Sequence, residues 1–367
     1  MPVILADRHI PYLDVLAQSE LQVIPLRPEE ITRTKLLETR AEGLLIRTRT
    51  KVNSNLLDGT AVHFIGTATI GMDHIDTLWC KSRGIEVVSA PGCNAGGVMQ
   101  YIAAALAQYF TTSPKNPDGL TLGIVGYGNT GRLSAKVGNA LGMRILINDP
   151  PLADAGYLKN DTPLKQLLSE SDVVTLHVPY TSRGAHPTRY LLNEGNIKYL
   201  KPTNLLINTS RGGVVDEMSL LKFKSEHPAF HYILDVWENE PDLNKEVLYE
   251  AFLATPHIAG YSLDGKRNAS QVIFNAVLKH FGFGEDIVLP DIIPRTQPEI
   301  NARHLMEAIL EVYPITADDR RLRREPGSFE KLRSNYPFRH EFHHFTLSGL
   351  DEVEKRNAQV LGFKIKD

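Results

Sequence analysis

The stretch Thr121-Leu-Gly-Ile-Val-Gly-Tyr-Gly-Asn-Thr-Gly-Arg132 decides the fold of this chain. Its apolar run, Leu122 to Val125, predicts a buried strand, and three glycines with the spacing G-x-G-x-x-G follow at once. The next residues, as far as Leu141, have the composition of a helix, and a second apolar run ends at Asp149. Strand, glycine turn, helix, strand and acid in this order predict a dinucleotide-binding βαβ unit.

Each part of this unit has a physical role. Gly126 permits a tight turn, Gly128 lets the backbone approach a pyrophosphate, and Gly131 lets the helix pack closely on the strand. The first turn of the helix offers backbone N–H groups to the phosphates. Asp149 follows Gly131 by 18 residues, which suits a carboxylate that accepts from the ribose hydroxyls. The residues expected to bind the dinucleotide here are Gly126, Gly128, Asn129, Thr130, Gly131 and Asp149.

Size and composition limit the possible functions. A chain of 367 residues with 42% hydrophobic and 23% charged residues should form two or three globular domains. The net charge of −3 gives no electrostatic reason to expect a nucleic acid or an anionic membrane as partner. Cys80 and Cys93 are too few for a disulfide framework or a zinc site. The first residues predict a strand and not a targeting peptide, so we expect a cytoplasmic protein without a bound metal.

Residues 2 to 90 alternate short apolar runs with helical stretches, which predicts a parallel, doubly wound sheet. This lobe has no glycine fingerprint, so it should not hold the dinucleotide. Two of its loops, residues 47–51 and 66–73, follow predicted strands, where ligands of open α/β sheets bind. The first loop carries Arg47, Thr48, Arg49 and Lys51, and the second carries Thr69. They suit an anionic substrate, although a solvated basic surface is the alternative interpretation.

Further along the chain, the pattern predicts a connector and a tail. Residues 96–110 are apolar on nearly every side, which indicates a helix buried on every face, between two domains. The βα alternation then continues to a long helix from Gly265 to about Phe281. Pro290, Pro294 and Pro298 predict a linker. Residues 341–348, 351–361 and 363–366 predict strand, helix and strand in a small α+β domain.

Three polar residues follow successive predicted elements of the dinucleotide half: Arg211, Glu240 and His257. Oxidation of a secondary alcohol requires a base for the hydroxyl proton, and histidine titrates near neutrality. A carboxylate on the other ring nitrogen orients that histidine, and arginine suits the carboxylate of a 2-hydroxy acid. Singly, His257 would be a structural histidine and Glu240 a turn residue. Arg211 is harder to dismiss because two glycines follow it, which suggests backbone close to a ligand.

The motifs resemble those of the NAD-dependent D-2-hydroxyacid dehydrogenases, over essentially the whole chain. The stretches that carry this resemblance are residues 126–131, 208–216, 235–241 and 256–260. Further stretches resemble the branch of that family that oxidises 4-phospho-D-erythronate in vitamin B6 biosynthesis. They are residues 50–53, 66–69, 73–74, 90–94, 257–266 and 326–336.

The resemblance implies roles for single residues. Arg211 and His257 are expected to be catalytic, with Glu240 as the partner of the histidine. NAD is the implied cofactor, contacted by Asp149, Val178, Asp235 and Gly260. The residues implied to contact substrate are Thr48, Thr69 and Tyr261, and Arg47 joins them because of its charge.

The resemblance also implies an architecture of two Rossmann-like domains with a cleft between them. Residues 1–94 and 258–288 would form a discontinuous substrate domain, residues 95–257 an NAD-binding domain, and residues 289–367 a domain that makes a homodimer. We therefore expect oxidation of 4-phospho-D-erythronate to 2-oxo-3-hydroxy-4-phosphobutanoate, in the pathway to pyridoxal 5′-phosphate. The alternatives are a 3-phosphoglycerate dehydrogenase, another D-2-hydroxyacid dehydrogenase or a non-enzymatic NAD-sensing regulator.

Overall fold

The structure is a computed structural model that describes residues 1–284, 286–292, 298–337 and 339–366. It forms two compact units. The first is Met1–Asn94 with the described residues from 262 to 292, and the second is Ala95–Tyr261 with the described residues from 298 onward. The functional domains assigned from the sequence stay a prediction. One proline of the expected linker, Pro294, and the last residue, Asp367, lie outside the described residues.

The helices and strands follow one another in a regular alternation over most of the chain. The first part contains β1 (Val3–Asp7), α1 (Leu13–Leu16), β2 (Gln22–Leu26), α2 (Arg33–Thr39), β3 (Gly43–Ile46), α3 (Ser54–Leu57), β4 (Phe64–Thr67), α4 (Thr77–Ser82) and β5 (Glu86–Val88). The middle contains α5 (Ala95–Thr112), β6 (Thr121–Val125), α6 (Asn129–Ala140), β7 (Arg144–Asn148), α7 (Pro150–Asp154), α8 (Leu164–Glu170), β8 (Val173–Leu176), β9 (Leu205–Asn208), α9 (Glu217–Glu226), β10 (His231–Leu234), α10 (Lys245–Glu250) and β11 (Leu253–Ala254). The last part contains α11 (Leu263–His280), β12 (Glu299–Asn301), α12 (Leu305–Val312), α13 (Thr316–Arg324), α14 (Phe329–Ser334), β13 (Thr346–Ser348), α15 (Glu352–Val360) and β14 (Lys364–Ile365).

The first unit is a five-stranded parallel sheet in the order β2-β1-β3-β4-β5. One face packs on α11, where Ile273 and Phe274 meet Ile4 and Phe64 in a dry cluster. The opposite face packs in a second cluster with α2, α3 and α4. Both faces are covered, so the strands are mostly apolar, as is usual for parallel strands. The predicted doubly wound sheet of this lobe is confirmed.

The second unit contains a six-stranded parallel sheet in the order β11-β10-β9-β8-β6-β7. From β6 the chain passes to β7 on one side and then returns to β8 on the other. The order of strands therefore reverses beside β6, and such a switch point is where open α/β sheets bind their ligands. The glycine turn follows β6, so the sequence-predicted dinucleotide unit lies at this point.

Helix α5 is buried on nearly every side, as its composition predicts. Fourteen of its 18 residues are buried, including the continuous run from Met99 to Ala107. Its small alanines allow α6 and α12 to approach closely, and the three helices share one apolar cluster. In the part of the chain that the structure describes, each helix is too short or too polar to cross a lipid bilayer.

The C-terminal residues add three parallel strands in the order β12-β13-β14. Helix α15 and strand β14 are confirmed, whereas the predicted strand at 341–348 is wrong in its first half: Phe342–His344 is a 3₁₀ turn, followed by β13. Phe342 and Leu347 are buried in the same cluster as α5, so the core of the second unit includes this segment. Helices α13 and α14 occupy the Arg-rich stretch, where the sequence pattern predicted no element.

Candidate active site

Six loops leave the carboxyl ends of the second unit's strands, and they carry all of the predicted catalytic and cofactor residues. Because the strands are parallel, these loops emerge at one edge of the sheet. The residues at that edge are Gly126 to Gly131 after β6, Asp149 after β7, Val178 after β8, Arg211 after β9, Asp235 and Glu240 after β10, and His257 and Gly260 after β11.

The three glycines of the turn meet different surroundings. Gly126 has φ 89°, and a Cβ there would lie 2.7 Å from the carbonyl oxygen of His177. A Cβ on Gly131 would lie 2.0 Å from the carbonyl oxygen of Gly126, so α6 could not pack on its strand. Gly128 faces open space and begins α6 without a capping side chain. The first turn of α6 offers backbone N–H groups beside Gly128, where a pyrophosphate could approach the backbone.

Asp149 is held in place at the end of β7. Its Oδ2 accepts from the Tyr127 N–H at 2.7 Å, and its Oδ1 accepts from the Leu152 N–H at 3.0 Å. Its own N–H donates to Asp161 Oδ1 at 2.6 Å. The carboxylate therefore lies beside the glycine turn with its orientation set by backbone donors, where an adenosine ribose would be expected. The contact with the ribose stays a prediction.

A histidine that the sequence analysis left without a role anchors the loop after β8. His177 Nε2 lies 2.9 Å from Ser134 Oγ and 3.0 Å from Thr175 Oγ1. Burial lowers the pKa of His177 to about 3, so the ring is neutral. These bonds fix the start of the loop and with it the backbone of Val178, whose predicted contact with the cofactor stays untested.

Asp235 shapes the turn that carries His257. Its Oδ1 accepts from Thr255 Oγ1 at 2.6 Å and from the Ile258 N–H at 2.8 Å, and its Oδ2 accepts from the Ala259 N–H at 2.8 Å. His257 has φ 57°, a left-handed conformation that costs a non-glycine residue roughly 1–3 kcal/mol. The buried carboxylate offsets this strain by holding the two residues that follow. The expected contact of Asp235 with NAD stays a prediction.

His257 and Glu240 form a hydrogen-bonded pair. His257 Nδ1 lies 2.8 Å from Glu240 Oε2, and Glu240 Oε1 accepts from the Trp237 N–H at 3.0 Å. Burial raises the pKa of Glu240, but the hydrogen bond and charge of His257 outweigh it, so the net shift is downward and the group is a carboxylate. An anion at Nδ1 requires a proton on that nitrogen, which leaves Nε2 with the lone pair that accepts a proton.

The loop after β9 presents Arg211. Asn208 organises this loop: its Oδ1 accepts from the Ser210 N–H at 3.0 Å, and its Nδ2 donates to the Arg211 carbonyl at 3.1 Å. A Cβ on Gly212 would lie 1.8 Å from the Trp237 carbonyl oxygen. This glycine therefore lets the loop of Arg211 pack against the loop of Glu240. The expectation that the two glycines mark backbone close to a ligand stays a prediction.

A pair of glutamates, not expected from the sequence, joins the same two loops. The Glu217 N–H donates to Glu238 Oε1 at 2.8 Å, and the Glu238 N–H donates to Glu217 Oε1 at 2.8 Å. Burial raises the pKa of Glu217 to about 7, and the charges of Glu238 and Glu240 act in the same direction. Each glutamate is an ordinary acid in the sequence, and only their reciprocal contact distinguishes them.

The expected substrate residues are distributed over both units. In the first, Thr69 Oγ1 lies 2.7 Å from Thr67 Oγ1 and donates to the Gly71 carbonyl at 2.9 Å, while His74 Nε2 lies 3.2 Å from Thr67 Oγ1. Tyr261 belongs to the second unit, directly after Gly260.

Arg47 has a basic neighbour within the first unit. Burial and the charge of Arg47 lower the pKa of Lys266, on α11, to about 8. Arg47 is half-buried and Thr48 is exposed, both at the carboxyl end of β3. Lys266 has no signal in the sequence that links it to Arg47, because the two residues lie far apart along the chain.

The chain matches two family models. The model described as "D-isomer specific 2-hydroxyacid dehydrogenase, NAD binding domain" matches residues 100–259, and one described as "Domain of unknown function" matches residues 294–362. An erythronate-4-phosphate dehydrogenase of Bacteroides thetaiotaomicron is 38% identical over 347 residues, which cover 95% of this chain and 99% of the relative. The chain belongs to the erythronate-4-phosphate dehydrogenase family. This family is a branch of the D-2-hydroxyacid dehydrogenases.

Other members and neighbours agree with this assignment. An erythronate-4-phosphate dehydrogenase of Yersinia pestis (strain Pestoides F) is 37% identical and covers 98% of both chains. The structure of a D-lactate dehydrogenase from Aquifex aeolicus, complexed with NAD and lactic acid, is 28% identical with a TM-score of 0.60, and the match covers 77% of this chain and 96% of that one. The erythronate-4-phosphate dehydrogenase family member described here is an NAD-dependent oxidoreductase, and its glycine turn and Asp149 fit that cofactor.

Proposed function

We propose that this protein oxidises 4-phospho-D-erythronate at C2 to 2-oxo-3-hydroxy-4-phosphobutanoate, with NAD, in the biosynthesis of pyridoxal 5′-phosphate. The observation that carries the proposal is the His257–Glu240 pair, 2.8 Å apart, at the same sheet edge as the glycine turn. An alcohol that is oxidised at this edge could give its proton to the His257–Glu240 pair and its hydride to the dinucleotide. The name of the full-length relatives supports this choice of acid.

We assign separate roles in this reaction to His257, Glu240 and Arg211. The C2 hydroxyl gives its proton to His257 Nε2 as the carbonyl bond forms, and Glu240 stabilises the imidazolium through Nδ1. When bound, NAD accepts the hydride that leaves C2. Arg211, whose guanidinium also donates to the Ser210 carbonyl at 2.8 Å, holds the substrate carboxylate and polarises the C2 oxygen.

The far end of the substrate requires cations and hydroxyl groups. We assign Arg47, Thr48 and Thr69 to the phosphate, because phosphate binds best to several donors and positive charge together. Tyr261 supplies a phenol for a hydroxyl of the carbon chain. 4-Phospho-D-erythronate has one more carbon and one more hydroxyl than 3-phosphoglycerate. A site that hydrogen-bonds this additional hydroxyl disfavours 3-phosphoglycerate, which would leave the hydrogen-bond donors unpaired.

The assembly and location that we propose are a homodimer in the cytoplasm, joined through residues 289–367. Residues 1–94 and 258–288 would bind the substrate, and residues 95–257 the cofactor. The sequence supports a reducing compartment, since it has two cysteines and Cys80 and Cys93 do not form a disulfide with each other.

The proposal is tested by measuring NADH formation with two acids. We expect kcat/KM for 4-phospho-D-erythronate to exceed that for 3-phosphoglycerate by at least about a hundredfold, because unpaired buried donors discriminate strongly. As a control for the active site, His257→Ala should reduce kcat about 10²- to 10⁴-fold and leave NAD binding intact.

Three results would contradict the proposal or its mechanism. A preference for 3-phosphoglycerate would assign the chain to the shorter acid. No NADH from either acid, with NAD still bound, would favour an NAD-sensing regulator. A His257→Ala variant that keeps more than about a tenth of the wild-type kcat would remove this histidine from the mechanism.

A further inference from the structure

An arginine from the C-terminal segment lies at the His257–Glu240 pair. Arg333 Nη1 is 3.9 Å from Glu240 Oε2, the same oxygen that faces His257 Nδ1 at 2.8 Å. Arg333 Nε donates to the Tyr261 hydroxyl oxygen at 3.2 Å. Arg333 therefore contacts two of the residues proposed to act in the reaction, although it lies in the region matched by the model of unknown function.

Contacts at both ends of α14 fix the position of Arg333. Phe329, at the start of α14, is fully buried in the apolar core of the second unit. Just after the helix, the Tyr336 hydroxyl donates to Asp318 Oδ2 at 3.0 Å. Both ends of the segment are thus anchored, and the side chain of Arg333 is only 24% exposed. An anchored and mostly buried guanidinium differs from a surface arginine that meets a carboxylate by chance.

The charge of Arg333 acts on the pair. A cation this close favours the ionised form of Glu240 and opposes the addition of a proton to the pair, because like charges repel and the site is partly buried. Arg333 Nη1 also lies 3.8 Å from Oε2 of the exposed Glu330 on the same helix. Burial opposes the charge on Arg333 itself, but Tyr261, Glu240 and Glu330 raise its pKa, so the guanidinium stays protonated. The hydrogen bond from Nε also fixes the position of the phenol oxygen of Tyr261.

We propose that Arg333 is a positioning residue of this active site. It sets the lower end of the pH range in which the His257–Glu240 pair accepts a proton, and it orients Tyr261 toward the substrate. The C-terminal segment is then a part of the catalytic apparatus, in addition to its proposed role in assembly. This inference rests on the proposed function for the identity of the acid that is oxidised.

The test compares two variants and a control. Arg333→Met removes the charge and the donor, Arg333→Lys keeps the charge alone, and Arg320→Met makes the same change at an exposed residue of α13. For Arg333→Met we expect kcat for 4-phospho-D-erythronate to fall about 10- to 100-fold, and the acid limb of kcat/KM to move up by about one pH unit. Arg333→Lys should keep the wild-type acid limb with an intermediate kcat. Arg320→Met should match the wild type, and all three variants should bind NAD as tightly as the wild type does.

Other outcomes overturn the inference. A higher KM with an unchanged kcat and acid limb in Arg333→Met would make the arginine a substrate ligand, and an unchanged enzyme would make it structural only. If the methionine variant does not fold, Arg333→Gln, which keeps a long polar side chain, replaces it. If the wild type does not oxidise the acid, the proposed function fails, but the inference remains testable by NMR titration of the His257 imidazole in the NAD complex. The midpoint must then be higher in Arg333→Met than in the wild type, and equal midpoints would refute it.

Discussion

Four acidic side chains around the candidate site differ because their neighbours differ. Asp235 is buried and accepts only from its own turn and Thr255 among the contacts described above, so it shapes the backbone. Glu240 is kept ionised by His257. Burial raises the pKa of Glu217 to about 7, and the charges of nearby carboxylates act in the same direction. Asp149 accepts from two backbone donors beside an open glycine, which suits a ligand with hydroxyl groups.

Asp149 should select NAD over NADP. A carboxylate accepts from both ribose hydroxyls but repels a 2′-phosphate, and the next residues, Pro150, Pro151 and Leu152, carry no cation. We expect kcat/KM to favour NAD by about 10- to 100-fold or more, since bonds to a charged group contribute about 1.5–3 kcal/mol. Asp149→Ser should reduce this preference, whereas Asp154→Asn, at an exposed site on α7, should not. Equal use of both cofactors by the wild type would show that Asp149 points elsewhere.

At the scale of elements, the site depends on the contact between the loops after β9 and β10. Gly212 lets the two backbones touch, and the reciprocal bonds of Glu217 and Glu238 hold them together. Glu217 is the first residue of α9, and only 4% of its surface is exposed. Ionisation of this group therefore introduces a buried negative charge beside two other carboxylates, which weakens the connection between the loops.

The stability of the protein should fall as Glu217 ionises. Its pKa in the folded state, about 7, lies above the ordinary value of 4.5, so the unfolded chain loses this proton first. The contribution of the group is present below the ordinary value and is lost as pH rises toward the folded value. Glu217→Gln keeps the acceptor oxygen without the charge. Relative to the wild type, we expect the variant to gain on the order of 1–3 kcal/mol between about pH 5 and about pH 8.

Thermal unfolding at a series of pH values measures this difference in Tm. Glu226→Gln, at an exposed position of the same helix, is the matched control and should follow the wild type at every pH. A difference between Glu217→Gln and the wild type that does not change with pH would show that Glu217 is ionised throughout the range.

At the scale of the whole molecule, the C-terminal segment both completes a core and presents a surface. Ile309, Phe342 and Leu347 are at most 1% exposed and share an apolar cluster with α5. Arg323 donates to the Leu248 carbonyl at 2.9 Å and to the Ala251 carbonyl at 2.7 Å. Deletion of the segment would therefore expose a core and remove Arg333, so loss of activity after truncation would not by itself report on assembly.

Substitutions on the surface of α15 test the proposed dimer without opening the core. Val353 and Val360 are 56% and 50% exposed and lie seven residues apart, on one face of the helix. If this face joins two copies, Val353→Asp/Val360→Asp should be a monomer by light scattering, because two carboxylates cannot be buried unpaired. Val288→Asp, at a valine that is 82% exposed outside this segment, is the control and should remain a dimer. A double variant that stays dimeric places the interface elsewhere.

Much of this protein follows from short-range patterns. The order of strand, glycine turn, helix and acid from Thr121 to Asp149 needs only neighbouring residues, because turn geometry and periodicity are local. The elements of the first unit were predictable for the same reason. Arg211, Glu240 and His257 were found because each follows a strand, and parallel strands bring such residues to one edge. The sequence does not predict the short helices α13 and α14, because their composition is polar and they are stabilised by packing within the core of the second unit.

The sequence by itself determined the fold class, the dinucleotide turn and the three residues proposed for chemistry. Only the tertiary structure decided which side chains act on those three. Asp235 supports the turn of His257, the two glutamates join the loops, and Arg333 lies beside Glu240. The physical reason is that charge, burial and hydrogen bonding depend on distance in space, and the partners here are far apart along the chain. An arginine in a polar stretch has no distinctive pattern until folding places it 3.9 Å from a half-buried carboxylate.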